Sequence, residues 1–531
     1  HIGIRPQSWG RYIIINHPNG YTTLYGHLND FFPELETFVR AEQYKQESWA
    51  IELDFTDDQF KVEKGQFIAY SGNTGGSQGP HLHFELRETK TQKCLNPLLF
   101  GFAYEDDVPP NIVKLALFDR SISSYDQFPK IFPVKSTDSG YIIPKLPVLL
   151  TGIRRPAFAI QAYDRSTGSK NPNGIFSAKL FLDDVLKTGF ILDSINYDES
   201  TLIHAQIDYR YHYNGGAFLQ NLSPLPGDPL VVYPAELNEG QIELTDTFLH
   251  HVRIEIGDVY HNRSRLDFMI RYSDSLANMI SNKGSYPTYA PKFIPNQVNH
   301  FISTDFEATL PDHAIFDTIT QVYFKTRSAS PFSVSAAHQL NDPSWPLEKD
   351  LVVRIKPDKE IPEAWKNKLV MQRNYRGSYS LRKARWDGDW LTGQFGDFGI
   401  FQVFADLVAP EINDPGKPGK GDTIDLSPAT RIMFQPRDNF GSTINFRAEL
   451  DGQWLRFTND KGRTWIYEFD ERCPYGIHEL KVKVEDLVGN VIERSWWIRK
   501  YPYTPPKKKA KKKASGKKQA GSGKKKIKKD K

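Results

Sequence analysis

Cysteine is almost absent from this sequence of 531 residues: Cys94 and Cys473 are the two, 379 positions apart. That spacing excludes a disulfide framework and a cysteine-ligated zinc site, and the pair reads as two unrelated buried thiols. There is no apolar run of about 18 residues, which excludes a transmembrane helix. The first residue is His1, and no signal-peptide pattern of basic, apolar and small residues follows it. The chain therefore reads as a mature product or a fragment. A single hydrophobic core is excluded by length, and three or four domains are expected. Aromatic residues, at 13%, supply ample material for those cores.

Negative charge is scarce in one place only. The net charge is +4, yet residues 501–531 hold 14 Lys and one Asp, a local +13 that leaves −9 on the other 500 residues. This Lys-rich tail cannot bury a core and is expected to be disordered. Polycations bind polyanions by releasing counterions. No aromatics are interleaved for base stacking, so specific nucleic-acid binding is not expected. Anionic envelope polymers or a lipid surface are the better partners, with a merely solvated tail as the alternative.

The strongest local pattern is residues 71–87, Ser-Gly-Asn-Thr-Gly-Gly-Ser-Gln-Gly-Pro-His-Leu-His-Phe-Glu-Leu-Arg. A glycine-rich turn runs into a short strand, and alternation puts His81 and His83 on one face. Two imidazoles on one face can share a metal, or one can hold it while the other moves protons. A bare His-x-His equally suits a surface strand with solvated histidines. The flanks add weight to a site. Residues 11–16 are β-branched and apolar, Asn19-Gly20 signals a hairpin, and residues 21–28 form the return strand ending at His27. His17 falls in the turn and reads as a solvated loop residue. Residues 33–48 read as a helix with Pro33 in its first turn and Leu35, Phe38 and Val39 on its apolar face. Residues 61–70 give a turn and a strand that feed the glycine-rich loop.

Tyr25-Gly26-His27-Leu28, Lys64-Gly65-Gln66, Ser71 to Gly75, Gly79-Pro80-His81-Leu82-His83-Phe84-Glu85 and Asn96-Pro97 occur in one order and context. In this the first hundred residues resemble the LytM-type (lysostaphin-type) M23 family of zinc metallopeptidases. The resemblance implies an antiparallel β domain and a Zn2+ cofactor. It implies that His83 is a zinc ligand and that His81 and His27 flank the metal-bound water as catalytic residues. Zinc lowers the pKa of bound water and polarises a scissile carbonyl, while nearby imidazoles move protons. A hydrolytic zinc site needs three protein ligands. In the family the other two are a histidine and an aspartate upstream of these strands, and no Asp or Glu precedes Asp30. His1 falls beyond those ligands and is not promoted. One ligand of three is present, and truncation of an active enzyme is expected over a degenerate domain.

Beyond residue 101 the chain repeats itself. Residues 106–112 recur at 406–412. His250, Val252, Ile254, Ile256, Asp258, Asn262 and Arg271 share their spacing with His478, Leu480, Val482, Val484, Asp486, Asn490 and Arg499. Both are a period-2 strand, an Asp-x-x-x-Asn turn and a second strand, the last hairpin of a β-sandwich present twice. His250, His251 and His478 could suggest a second metal site, but their matched positions predict a structural role or a solvated edge. Asp164, Asp258 and Asp486 could bind calcium, yet turn-forming Asp with Asn is the expected reading.

The expectation is an all-β chain. An M23-type domain occupies 1–103, an Ig-like sandwich with insertions 104–275, an unassigned β domain 276–405, an Ig-like sandwich 406–500 and a disordered tail 501–531. The resemblance implies an exported protein of the periplasm or cell envelope that hydrolyses the peptide cross-links of peptidoglycan. A non-catalytic LytM-like regulator, binding a cell-wall amidase or the wall, is one alternative. A structural or adhesive Ig-array protein is the other.

Overall fold

The computed structural model describes residues 1–102, 105–238, 240–277, 290–328, 330–417, 422–441 and 443–504. Residues 505–531, most of the Lys-rich tail, lie outside the described residues. The chain is an all-β, multidomain protein whose strands pair mainly antiparallel. Among the described residues no helix is long and apolar enough to cross a membrane.

The N-terminal strands are β1 (Ile2–Ile4), β2 (Arg11–Asn16), β3 (Tyr21–Gly26) and β4 (Leu28–Phe31). Helix α1 (Pro33–Lys45) follows, then β5 (Ile51–Leu53), β6 (Ala69–Ser71), β7 (His83–Glu88) and β8 (Cys94–Leu95). The main sheet runs β8-β7-β3-β2-β1-β5, while β4 and β6 form a separate ribbon. The Asn19-Gly20 turn sets the β2–β3 register at Asn16↔Thr22 and Ile13↔Tyr25, with Gly20 taking the positive φ the turn requires. Helix α1 ends at Lys45, three residues short of the sequence expectation, with Glu34 and Glu36 in its first turn and Lys45 in its last. These charges complement the helix dipole. Leu35, Val39 and Gln43 face inward. Phe38 instead meets Phe55 and Phe60, with ring centroids at 5.9 and 5.5 Å.

The next unit has two sheets over one core. Lys130–Pro133, Asn111–Asp119, Pro156–Tyr163 and Gln220–Asn221 form one; the other is seven-stranded and contains Ser177–Leu182, His250–Gly257 and Arg263–Tyr272. Phe158, Phe190, Val252, Ile254, Leu266 and Ile270 fill the space between. The C-terminal unit repeats this around Thr443–Leu450, Gly476–Asp486 and Val491–Lys500, with Phe434, Tyr467, Leu480 and Ile498 in its core.

The repeated histidines have a structural role in both copies. His250 Nδ1 lies 2.6 Å from Asp183 Oδ2, and Asp183 Oδ1 accepts the His251 amide at 2.8 Å. His478 Nδ1 lies 2.6 Å from Asp451 Oδ2, and Asp451 Oδ1 accepts the Glu479 amide at 2.8 Å. Asp183 and Asp451 both have φ +50°, in the tight turn of the neighbouring hairpin. The repeat thus extends to Leu182-Asp183 and Leu450-Asp451, whose side chains fasten each turn to the adjoining strand.

The central unit has two five-stranded sheets, one with Phe306–Leu310 and Leu351–Ile355 inside it, the other with Ala337–Leu340 and Gly399–Ala405. Between them His338 is fully buried, stacked on Phe306 at 4.9 Å with Nδ1 2.8 Å from the Tyr323 hydroxyl. Burial holds its pKa down at about 4. The unfolded chain therefore binds a proton between pH 6.5 and 4 that the folded unit refuses, and stability falls as pH falls through that window. Lowering the pH from 7 to 5 should cost this unit about 2 kcal/mol. His338→Gln should remove most of that slope in urea melts followed by fluorescence at each pH.

Candidate metal and catalytic site

Three histidines meet where β3 ends and β7 begins. Gly26 pairs directly with His83, and Tyr25 with Phe84. The chain then turns sharply: His27 has φ +59°, and its amide bonds the Trp9 carbonyl at 2.8 Å. The backbone reversal turns the His27 ring toward the glycine-rich loop. The His27 ring lies 4.7 Å from that of His81 and 5.6 Å from that of His83. His81 is not part of the strand, which begins at His83. It sits in an isolated bridge to Gly72, donating its amide to the Gly72 carbonyl at 3.0 Å. Strand alternation is therefore not what brings His81 to the site; the return of the 71–81 loop on itself is.

Each ring is held by one nitrogen, which fixes the use of the other. His27 Nδ1 lies 2.7 Å from the Thr74 carbonyl and His81 Nδ1 lies 2.8 Å from the Gly79 carbonyl. A carbonyl only accepts, so both Nδ1 atoms carry hydrogen and both Nε2 lone pairs are available. His83 is the reverse. Its Nε2 lies 2.6 Å from Glu85 Oε1, so Nδ1 is the nitrogen free for a metal. Arg87 fixes Glu85 in turn, donating from Nε at 2.7 Å and also from Nη2. Burial would raise the Glu85 pKa, but the bonds from His83 and Arg87 outweigh it and hold the carboxylate below its usual range. A carboxylate orienting the far nitrogen of a ligating imidazole is a common support for metal binding. The sequence contains this relay as His83-x-Glu85-x-Arg87, with the three side chains on one face of β7; period 2 could have revealed it.

Thr74 is the keystone of the loop. Its hydroxyl donates to the Leu28 carbonyl at 2.9 Å and accepts the Arg11 amide at 3.0 Å, while its carbonyl holds His27. Gly75 (φ +70°) approaches the neighbouring turn so closely that a Cβ would lie 2.3 Å from the Gly10 nitrogen. Desolvation leads the effects that lower the His27 pKa, and the nearby His81, His83 and Lys461 charges add to it, against the Thr74 bond.

Lys461 was not legible as a site residue. It belongs to the C-terminal unit, in the turn Asn459-Asp460-Lys461-Gly462. Lys461 Nζ donates to the Ser77 carbonyl at 2.7 Å and the Gly75 carbonyl at 3.3 Å. Asp460 Oδ1 accepts the Gly75 amide at 2.7 Å, and Gln7 donates to the Lys461 carbonyl at 2.7 Å. The opposite flank is also occupied. Ser194–Ile195 of the second unit pairs with β8 and extends the main sheet. Arg87 lies over both Trp9 and Tyr197, at 5.3 and 5.8 Å.

The donor set does not complete a hydrolytic zinc site. Three protein ligands are required, and the free nitrogens of His27, His81 and His83 do not gather into one donor group. Among the described residues, the groups of three or more side chains close enough to share a metal do not include any of these histidines. His1 is engaged elsewhere, with Nδ1 2.7 Å from Asp54 and Nε2 3.3 Å from the Tyr12 hydroxyl.

The class defined by this fold and site agrees with comparisons to known proteins. Residues 52–97 match the model of peptidase family M23, and residues 291–406 match that of the Zu5-like domain. The second match covers most of the central unit that the sequence left unassigned. An uncharacterized metalloprotease of Haemophilus influenzae is 36% identical over 89 residues, 17% of this chain and 14% of that protein. Peptidoglycan DD-endopeptidase ShyA of Vibrio cholerae is 38% identical over 77 residues, 14% of this chain and 13% of that protein. DD-carboxypeptidase/endopeptidase Mpg of Neisseria meningitidis is 32% identical over 83 residues, 16% of this chain and 14% of that protein. The chain therefore spans about a seventh of the length of these relatives. Its N-terminal domain is M23-type over that segment.

Proposed function

We propose that the N-terminal domain is a peptidoglycan-directed peptidase unit of the cell envelope, acting on peptide cross-links. In this reading His83 is the zinc ligand, and His27 and His81 are the catalytic imidazoles. The observation that carries it is the convergence of three rings whose tautomers are fixed by Thr74, Gly79 and Glu85. When bound, zinc would supply an acidified water and a polarised carbonyl. The Nε2 atoms of His27 and His81, left free by the bonds to their Nδ1 atoms, can accept or return a proton. The modules at 104–275 and 406–500 are Ig-like in this reading. With the central unit at 276–405 they act as the frame that holds the peptidase unit at 1–103, and residues 501–531 are the basic tail for anionic envelope surfaces.

A second reading has a specific observation in its favour. The Asp460–Lys461 turn grips the glycine-rich loop, and the ligand set is incomplete, as suits a wall-binding regulator without turnover. The two readings separate on purified sacculi. The peptidase reading expects a slow release of soluble muropeptides from the protein in excess zinc, lost in His81→Ala, with sedimentation on sacculi retained. Sedimentation without any release, unchanged in His81→Ala, would establish the regulator. Neither release nor sedimentation would reject both.

A further inference from the structure

The two sandwiches carry a pair of matched carboxylate clusters outside the peptidase site. Asp106, Asp164 and Asp258 each offer a ligand oxygen within 4.8 Å of the others, and so do Asp406, Asp438 and Asp486. Asp106 lies just ahead of the strand Asn111–Asp119, Asp164 just after Pro156–Tyr163 and Asp258 just after His250–Gly257. The second cluster repeats the plan, with Asp406 just after Gly399–Ala405, Asp438 in the loop after Arg431–Phe434 and Asp486 closing Gly476–Asp486.

An asparagine builds each cluster in the same way. Asn262 Nδ2 donates to the Asp106 carbonyl at 2.9 Å and to Asp258 Oδ2 at 2.8 Å. Asn490 Nδ2 donates to the Asp406 carbonyl at 3.0 Å and to Asp486 Oδ2 at 2.7 Å. The Asp-x-x-x-Asn turn expected from the sequence is therefore present. It also fastens the segment entering each sandwich to the loop at its end.

The turn does not account for Asp164. This side chain is 6% exposed, and its Oδ1 is buried with no hydrogen-bond partner. It faces two further carboxylates, and among the described residues no Lys or Arg forms an ion pair with Asp106, Asp164 or Asp258. Three like charges this close, partly buried and without a cation, repel strongly.

We propose that Asp106, Asp164 and Asp258 bind one Ca2+. The donors are all oxygen, which selects a hard cation over zinc. Oxygens within 4.8 Å of one another fit around an ion with bonds of about 2.3–2.6 Å. Mg2+ takes a tighter, largely hydrated octahedron and is the poorer match. The ion ties the entering segment to its sandwich, so calcium stiffens the exit from the peptidase unit.

The test uses the full chain, stripped with EGTA and titrated with CaCl2 in a calorimeter, with thermal melts alongside. One Ca2+ per chain is expected at this cluster, lost in Asp164→Asn. Asp164→Asn removes a buried charge without removing a bond that holds the fold. It should melt above the wild type in EGTA and below it in CaCl2. A purely structural carboxylate would leave the variant more stable in both buffers, which would overturn the site. So would the absence of calcium binding, or an equal response to MgCl2. The outcome is independent of wall hydrolysis.

Discussion

Arg87→Ala should destabilise the N-terminal domain by about 3–5 kcal/mol, the cost of stranding one member of a buried ion pair. The Arg87 side chain is 8% exposed and that of its partner Glu85 10% exposed. Without the guanidinium, Glu85 keeps His83 and the Cys94 thiol at 3.6 Å as partners and loses the charged interactions that offset its burial. The loss spreads in two directions. His83 is no longer held by a fixed carboxylate, and the stack of Arg87 on Trp9 and Tyr197 at the seam with the second unit disappears. Hydrogen exchange reads this locally, which suits a multidomain chain lacking a single unfolding transition. Amides of β7 and β3 should lose protection while those of Phe306–Leu310 stay unchanged. Arg87→Ala combined with Glu85→Gln should recover part of the loss, because no buried charge is then left alone. Equal loss in the single and double variants would show that the guanidinium matters by packing rather than by charge.

The relay through Arg87 also marks where sequence reasoning stops. The β2–β3 hairpin was legible because Asn19-Gly20 and the alternating flanks are local signals, and the observed register follows from them. His27, His81 and His83 were legible as a group through the motifs around them, and their rings do meet. Why His81 reaches the site was misread. Alternation along one strand was expected, whereas the loop bridge at Gly72 does the work. Asp460 and Lys461 could not have been found, because their turn pattern says nothing about what lies opposite. Their contacts to Gly75 and Ser77 close over more than 380 residues. The carboxylate clusters fall between these cases. Asp258 and Asp486 carried a local turn signal, which their bonds from Asn262 and Asn490 bear out, and the convergence of three aspartates was not visible one turn at a time. The repeat held that information, since Asp106 and Asp258 recur together as Asp406 and Asp486.

The chain as written should hold zinc far below one ion per molecule after dialysis, and His83→Ala should hardly change that content. Structural zinc sites with four protein ligands bind with roughly 10–16 kcal/mol at neutral pH, and a hydrolytic site needs three. His83 Nδ1 alone supplies a fraction of such a total, however well Glu85 and Arg87 orient the ring. His27 and His81 do not make up the deficit in the observed geometry. The carbonyls of Thr74 and Gly79 hold their Nδ1 atoms, and their Nε2 atoms do not form a shared donor group with His83. Metal analysis and a competition titration against a chelating dye read this directly. One tight zinc per chain, lost in His83→Ala, would mean that the imidazoles rearrange into a three-histidine site on binding. Glu85→Gln then becomes the informative variant. It keeps a hydrogen-bond acceptor for His83 but removes the charge that strengthens the imidazole as a ligand. It should weaken zinc about 10–100-fold if His83 ligates through Nδ1, and leave the affinity unchanged if the metal has displaced Glu85 from Nε2.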